Sequence, residues 1–574
     1  MALRLLPPLL LLATLLCTCA PSPASSVYTT PRPTTTLTLP YAQYGWTDAE
    51  AARYLADRFT FGATDALVAE IQTSGPGNWL QAQLYPEREA ALERELATKY
   101  PALTLDGDKM VRKYPAPVLR LIYTLVRAGI QKVDYSEAVG EDASVLNEKL
   151  DLLVTDALNI RREDRPLFDG VPQLQEILDD QDYGDFMDLL YQQMALKTER
   201  AIRSDNQLVE VLTDFWFNHF NVSLTRINET ANFIPSYERD AIRPYVLGDF
   251  GEMLKATAQH PAMLTYLDNA RNNPDEGAPT LAPQKDQREQ LGEEAYELLK
   301  DFIDRPGLNE NYARELLELH TLGVDGGYSQ RDVEEVARVF TGWKVPLSTQ
   351  PLPGLIRTVV NLGARGADGA VLTDMFHFNP EWHDSGRKTV LGKTYPAGMG
   401  YEEGVAVLEQ LAAHPATARH ITAKLAQRFA GDTPPAGLVS AMAGRFTQSG
   451  GDIRQTLLAM VQHRDFWRKE LRGSKVKQPF HYIVSAARVD NLTNLNNLVE
   501  LLRWNTKLGQ PLYACQPPTG YPYTQAFWTT GSGLLGRMDF AAELIQGHSI
   551  RTVYDGPDQR KTVLLLAGPE FQTY

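Results

Sequence analysis

The side chains able to do chemistry gather in four short stretches. The first, Asn309 to Trp343, reads NENYARELLELHTLGVDGGYSQRDVEEVARVFTGW and sets Glu310, Arg314, Glu315, Glu318 and His320 within a few helical turns. His219 stands in WFNHFNVS, while His377, His383, Asp384 and Lys388 stand in FHFNPEWHDSGRK. In the fourth stretch, HPATARHITAKLAQRF, His420, Lys424 and Arg428 recur at i, i+4 and i+8. Imidazole and carboxylate groups transfer protons near neutral pH or ligate a divalent metal. His219, Glu315, His320, His383 and Asp384 are therefore the candidate acid/base or metal-ligand set, and the sequence leaves open whether a metal is bound. Arg314 and Lys388 are candidates to steady an anion, and the row His420, Lys424, Arg428 to bind sulfate, phosphate or carboxylate.

Each candidate also has a structural explanation. At about 100° per residue, Tyr312, Ala313, Leu316, Leu317, Leu319 and His320 share one helix face, and Glu310, Asn311, Arg314, Glu315 and Glu318 the other. Glu310, Arg314 and Glu318 can then form a charge ladder of roughly 0.3–0.5 kcal/mol per pair. His219 and His320 fall on apolar stripes, where a hydrogen-bonded core histidine is the plainer reading, and Asp384 before a glycine turn can simply bond nearby backbone. Asp325 lacks the alternating oxygen ligands of a calcium loop, and zinc-protease, phosphate-loop and nucleophile-elbow spacings are absent.

The elements that must position these groups are mostly helices. Thr47 with Glu50, Ser204 with Gln207, and Ser329 with Asp332 have capping-box spacing, and Pro261 and Pro415 suit a first helical turn. Gly323 suits the left-handed residue that ends a helix. From 345 to 400 the helical period gives way to glycines, prolines and β-type runs such as RTVV, MFHF and KTVLG. We expect a mainly α protein, a multi-helical body with a small β/loop-containing insertion. Its parts are a signal peptide at 1–24, a Pro/Ser/Thr-rich linker at 25–40, an N-terminal helical region at 41–344 with a polar insertion near 273–305, the β/loop segment at 345–400, and a C-terminal helical region at 401–574.

With 43% hydrophobic and 22% charged residues the composition is that of a folded, water-facing chain. Its 71 acidic against 56 basic residues argue against a nucleic-acid partner, which needs a broad positive field. MALRLLPPLLLLATLLCTCAPSPASS is too short in its apolar run to span a bilayer and reads as a secretory signal cleaved after Ala24, so no transmembrane helix is expected in the mature chain. Lipidation at Cys19 is the weaker alternative. Localisation is expected to be periplasmic or extracellular, with Cys515 left as a lone thiol.

RFTFGAT, FWFNHFNVS, HPAMLTYLDN, NENYARELLELHTLGVDGGYSQRDV with VFTGW, FNPEWHDSGRKTVLG, HPATARHITAKLAQRFAGD and KVKQPFHYIVSAARV, in that order, resemble the bacterial family catalogued as domain of unknown function number eighteen hundred. The resemblance implies an exported, mostly helical protein of unestablished activity, and an exported sulfatase-like or phosphatase-like partner. It carries over no catalytic residues. The residues themselves support two functional expectations: a hydrolase or transferase acting on an extracellular or envelope polymer, or a non-catalytic binding or assembly protein with a buried polar network. The first requires the histidines to meet at an open cavity, the second buries them fully paired.

Overall fold

A computed structural model describes residues 27–114, 184–226, 230–284, 307–346, 371–373, 375–490, 492–546 and 565–574. The expected signal peptide, the RTVV run and most of the polar insertion lie outside the described residues.

The chain is mainly α. The longer helices are α1 (Asp48–Phe59), α2 (Asp65–Ser74), α3 (Pro76–Leu84), α4 (Ala90–Lys99), α5 (Gly107–Lys113), α6 (Phe186–Arg203), α7 (Gln207–His219), α8 (Phe250–Gln259), α9 (Pro261–Tyr266) and α10 (Asn311–Glu315). They continue with α11 (Gln330–Val339), α12 (Tyr401–Ala412), α13 (Pro415–Phe429), α14 (Ala436–Gln448), α15 (Ile453–Gln462), α16 (Pro479–Asp490), α17 (Leu495–Lys507) and α18 (Gly531–Gln546). The described strands other than β1 lie within the expected 345–400 segment; β1 falls just before it, in the region expected to be helical. β1 (Trp343–Lys344), β2 (Val371–Leu372) and β3 (His377–Phe378) form an antiparallel sheet in the order β1-β3-β2, and β4 (Lys388–Val390) pairs antiparallel with β5 (Lys393–Tyr395).

Local signals account for many helix starts. Thr47 and Ser329 make reciprocal capping boxes with Glu50 and Asp332. Before Pro261 and Pro415, His260 and His414 each accept the second helical amide through Nδ1, at 3.2 and 3.1 Å. The expected box at Ser204 does not form. Ser204 ends α6, and Gln207 turns its amide back to the carbonyls of Ala201 and Ser204 at 3.1 and 2.7 Å, so α7 begins at Gln207 with no side-chain cap.

One hydrophobic cluster runs from Val27 to Leu566 and joins the early and late parts of the described chain. The indole of Trp46 donates to the Trp467 carbonyl at 2.6 Å, the Tyr54 hydroxyl to the Phe466 carbonyl at 2.9 Å, and Phe59 stacks on Phe429 at 5.0 Å. Each fully buried ring of this kind contributes roughly 1.5–3 kcal/mol. Residues 27–40, expected as a tether, lie against α3. Gln81 receives the Leu37 amide at 3.0 Å and donates to the carbonyls of Pro33 and Thr35 at 2.8 and 2.9 Å. Gly77 permits this approach, since a Cβ there would lie 1.9 Å from the Leu37 carbonyl oxygen.

Candidate functional site

The helix carrying Glu315 and His320 is not one regular helix. After α10 the chain widens into a π turn, Leu316–Thr321, in which the Leu322 amide reaches back to Leu317 at 2.9 Å. Such widened turns recur at functional sites. Gly323 then takes φ 86° and ends the segment, as its sequence position suggests.

The two carbonyls at the end of this turn each face an imidazole from a distant helix. His219, the last residue of α7, sets Nε2 3.2 Å from the His320 carbonyl, and His420 of α13 sets Nε2 3.1 Å from the Leu319 carbonyl. A carbonyl only accepts, so both Nε2 atoms carry the proton and both Nδ1 atoms are lone pairs. The Lys424 ammonium donates into the lone pair of His219 at 2.8 Å. The His219 ring lies 6.2 Å from that of His320 and 6.3 Å from that of His420, on a floor formed by Trp216 and Phe220. His219 and His320 are buried, while His420 and Lys424 keep partial contact with solvent.

Burial, with Lys424 beside them, holds all three imidazoles neutral: His219 well below its ordinary value, His320 near 3 and His420 near 4. Burial alone brings the Lys424 amine down to about 8. Near neutral pH the cluster therefore carries one positive charge, on Lys424, and no carboxylate among the described residues lies within ion-pair distance of it. His320 Nε2 is buried without a partner. Among the described residues no group of three or more His, Cys, Asp or Glu side chains is spaced to hold a metal ion, and two of these three imidazoles have already committed a nitrogen to backbone.

The other candidates lie elsewhere. Glu315 is half-buried, its carboxyl raised by burial and then by Glu318, and it makes no bond to the histidines. Arg314 pairs with Glu310 at 2.8 Å and bonds Gln330 at 3.0 Å. His383, Asp384 and Lys388 form a separate buried network, in which His383 Nε2 and Glu403 Oε1 make no hydrogen bond. Lys388 meets Glu403 at 2.7 Å and the Asp384 carbonyl, while His383 bonds the Thr341 carbonyl through Nδ1 at 2.8 Å and faces Glu403 at 3.4 Å. Arg338 grips Asp384 with two bonds, 2.8 and 3.2 Å. Burial works against the Asp384 charge, but Arg338 and the Gly386 amide bring its carboxyl below the ordinary range. Arg428 turns from the row to bond the Tyr574 hydroxyl at 2.9 Å.

The family model described as "Protein of unknown function (DUF1800)" matches residues 54–571. The chain belongs to that family. No curated protein and no solved structure matches it. This DUF1800 member also gathers polar groups outside the candidate site set. Lys197, Asp214, Asn218, Gln478, Tyr513 and Tyr521 line a cleft of about 400 Å³, counted with its open mouth. Lys197 bridges Asp214 and Glu238, both at 3.1 Å, and Tyr513 is held at φ 60° with its hydroxyl on Glu238 at 2.9 Å. A tyrosine in that backbone region stores strain. No local spacing announces this cleft, because its walls come from α6, α7, Gln478 and the segment from Gln510 onward.

Proposed function

We propose that the protein is an exported binding protein whose working site is the lysine–histidine cluster, and that the site takes an anionic group, sulfate, phosphate or carboxylate, displayed on an extracellular or envelope polymer. The observation that carries this reading is the Lys424 ammonium, half-withdrawn from water, bonded to a neutral imidazole and lacking a carboxylate partner among the described residues. A charge in that position gains most from an incoming anion. In a chain of net charge −15 such a site is local, so it selects by contact rather than by long-range attraction. An exported sulfatase-like or phosphatase-like partner fits the same class of polymer.

The test is retention on immobilised dextran sulfate and on a phosphorylated matrix at fixed ionic strength. Lys424→Met should elute at markedly lower salt than the parent, whereas Arg419→Gln, which removes an exposed charge five residues away on the same helix, should shift little. Equal shifts would reduce the effect to net charge and overturn the reading. One feature favours a second reading, hydrolysis or transfer: a lysine amine near pKa 8 is partly free base at mildly alkaline pH and can act as nucleophile or base. Turnover of the bound polymer, lost in Lys424→Arg while retention persists, would select that alternative.

A further inference from the structure

At the far end of α13 lies a second concentration of positive charge, independent of the lysine–histidine cluster. Arg58 and Arg428 each hold a guanidinium over the ring of Tyr574, at 5.1 and 5.2 Å, and His481 packs on the same ring at 4.7 Å. Lys477 and Arg537 also act on His481, which is driven well below its ordinary value by burial and then by these cations. Arg58 is 0% exposed, Arg537 1%, His481 4% and Arg428 5%.

A guanidinium stays charged at every working pH, and a buried charge needs an opposing one or a full set of hydrogen bonds. Neither is met here. Arg58 uses only Nη2, on the Leu471 carbonyl and on Ser474 Oγ at 3.3 Å, leaving Nε and Nη1 without partners. Arg537 Nη1 and His481 Nε2 are likewise unpartnered. Among the described residues no carboxylate forms an ion pair with Arg58, Arg428 or Arg537. Asp57, whose charge acts on Lys477 and Arg58, is already paired with Arg53 at 3.3 Å.

We propose that this cluster is a buried oxyanion site, built for a tetrahedral dianion, inorganic sulfate or phosphate or the same group on a small ligand. Arg58 and Arg428 are its principal ligands: Arg58 keeps Nε and Nη1 free for separate anion oxygens, and charge-assisted N–H bonds of this kind are the strong ones. Tyr574 closes it: the terminal segment is pinned to the body by the paired backbones of Lys475 and Tyr574, at 2.8 and 3.2 Å, and by the Thr573–Val476 bridge. Tyr523 connects the site to the solvent-facing cleft. Its buried hydroxyl feels Asp214 and Asn218, which line the cleft, and also Arg428 and Tyr574.

The experiment measures binding of radiolabelled inorganic phosphate, with unlabelled sulfate as competitor, by equilibrium dialysis of the full chain. It is run in a Lys424→Met background so that the lysine–histidine cluster does not contribute. We expect about one anion per chain, displaced by sulfate, at least tenfold weaker in Arg58→Met and weakened in Arg428→Lys, which keeps the charge and loses the fork. Should Arg58→Met fail to fold, Tyr574→Ala serves instead and should speed anion release several-fold. No bound anion at millimolar phosphate, undiminished binding in the folded arginine variants, or release from Tyr574→Ala at the parent rate would each overturn the proposal.

Discussion

Replacing Glu403 by Gln tests whether the His383–Lys388–Glu403 network serves folding or chemistry. Lys388 and Glu403 are both essentially buried, and the substitution keeps the side-chain shape while removing the only carboxylate within ion-pair distance of the Lys388 ammonium among the described residues. Breaking one half of a buried pair costs about 3–5 kcal/mol, because the remaining charge stays buried and uncompensated. Removing both partners in Lys388→Met with Glu403→Leu removes that penalty as well, so the double variant should lie within about 1–2 kcal/mol of the parent.

The pH dependence gives an independent signature. Burial already draws the Lys388 amine down, and Glu403 opposes that pull. Without Glu403 the folded-state pKa falls further below the unfolded value near 10.5. Between the two values the unfolded chain binds more protons, so stability rises with pH across that window. The Glu403→Gln penalty should therefore be largest at neutral pH and shrink as pH approaches 10.5. Urea unfolding followed by tryptophan fluorescence measures both effects. A penalty below about 1 kcal/mol, or a double variant that costs the sum of the singles, would refute the structural account of this network. A loss of polymer retention with unchanged unfolding would refute it too, and would return His383 to the functional set.

Lys424 should leave a pH signature of the same sign. Its folded pKa of about 8 lies below the ordinary 10.5, so the parent gains stability between those values, and Lys424→Met should flatten that rise in urea midpoints taken from pH 7 to 10.5. Gly323→Ala should cost about 1–3 kcal/mol, since φ 86° is strained for alanine and the new Cβ would lie 2.9 Å from His420 Nδ1; the same variant should lose anion retention as His420 is displaced. Gln81→Ala removes three bonds to residues 33–37, each worth roughly 0.5–1.5 kcal/mol, and should expose that strap to limited proteolysis while leaving global unfolding nearly unchanged.

What could be read from the sequence was what is decided within a few residues. Thr47–Glu50, Ser329–Asp332, the proline-led starts of α9 and α13, and Gly323 are all local contests between a side chain and the nearest orphan backbone group, and each forms as its spacing suggests. Ser204 shows where locality ends: the same residue can close one helix or open the next, and Gln207, tied to Ala201 and Phe61, decides for the former. The helical wheel put His320 on the packed face correctly but assumed a constant period, so it could not show the π turn, which places the Leu319 and His320 carbonyls opposite two imidazoles. Which histidines meet is set by separations of 101 residues between His219 and His320 and 205 between His219 and Lys424, which no spacing rule reaches. The same limit hid Glu403. In sequence it is one of two glutamates in the first turn of α12, where an acid is expected on dipole grounds alone. Its neighbour Glu402 fulfils that expectation at the surface. Only Lys388, buried fifteen residues earlier, makes Glu403 the counterion of that network. The i, i+4, i+8 row on α13 has the same ambiguity: its spacing puts three basic residue types on one face, but whether that face is wet depends on α7, the π turn and the C-terminal segment packed against it. Here it is turned largely inward. Lys424 and Arg428, read from sequence as one stripe, therefore end in two different clusters, one on His219 and one on Tyr574.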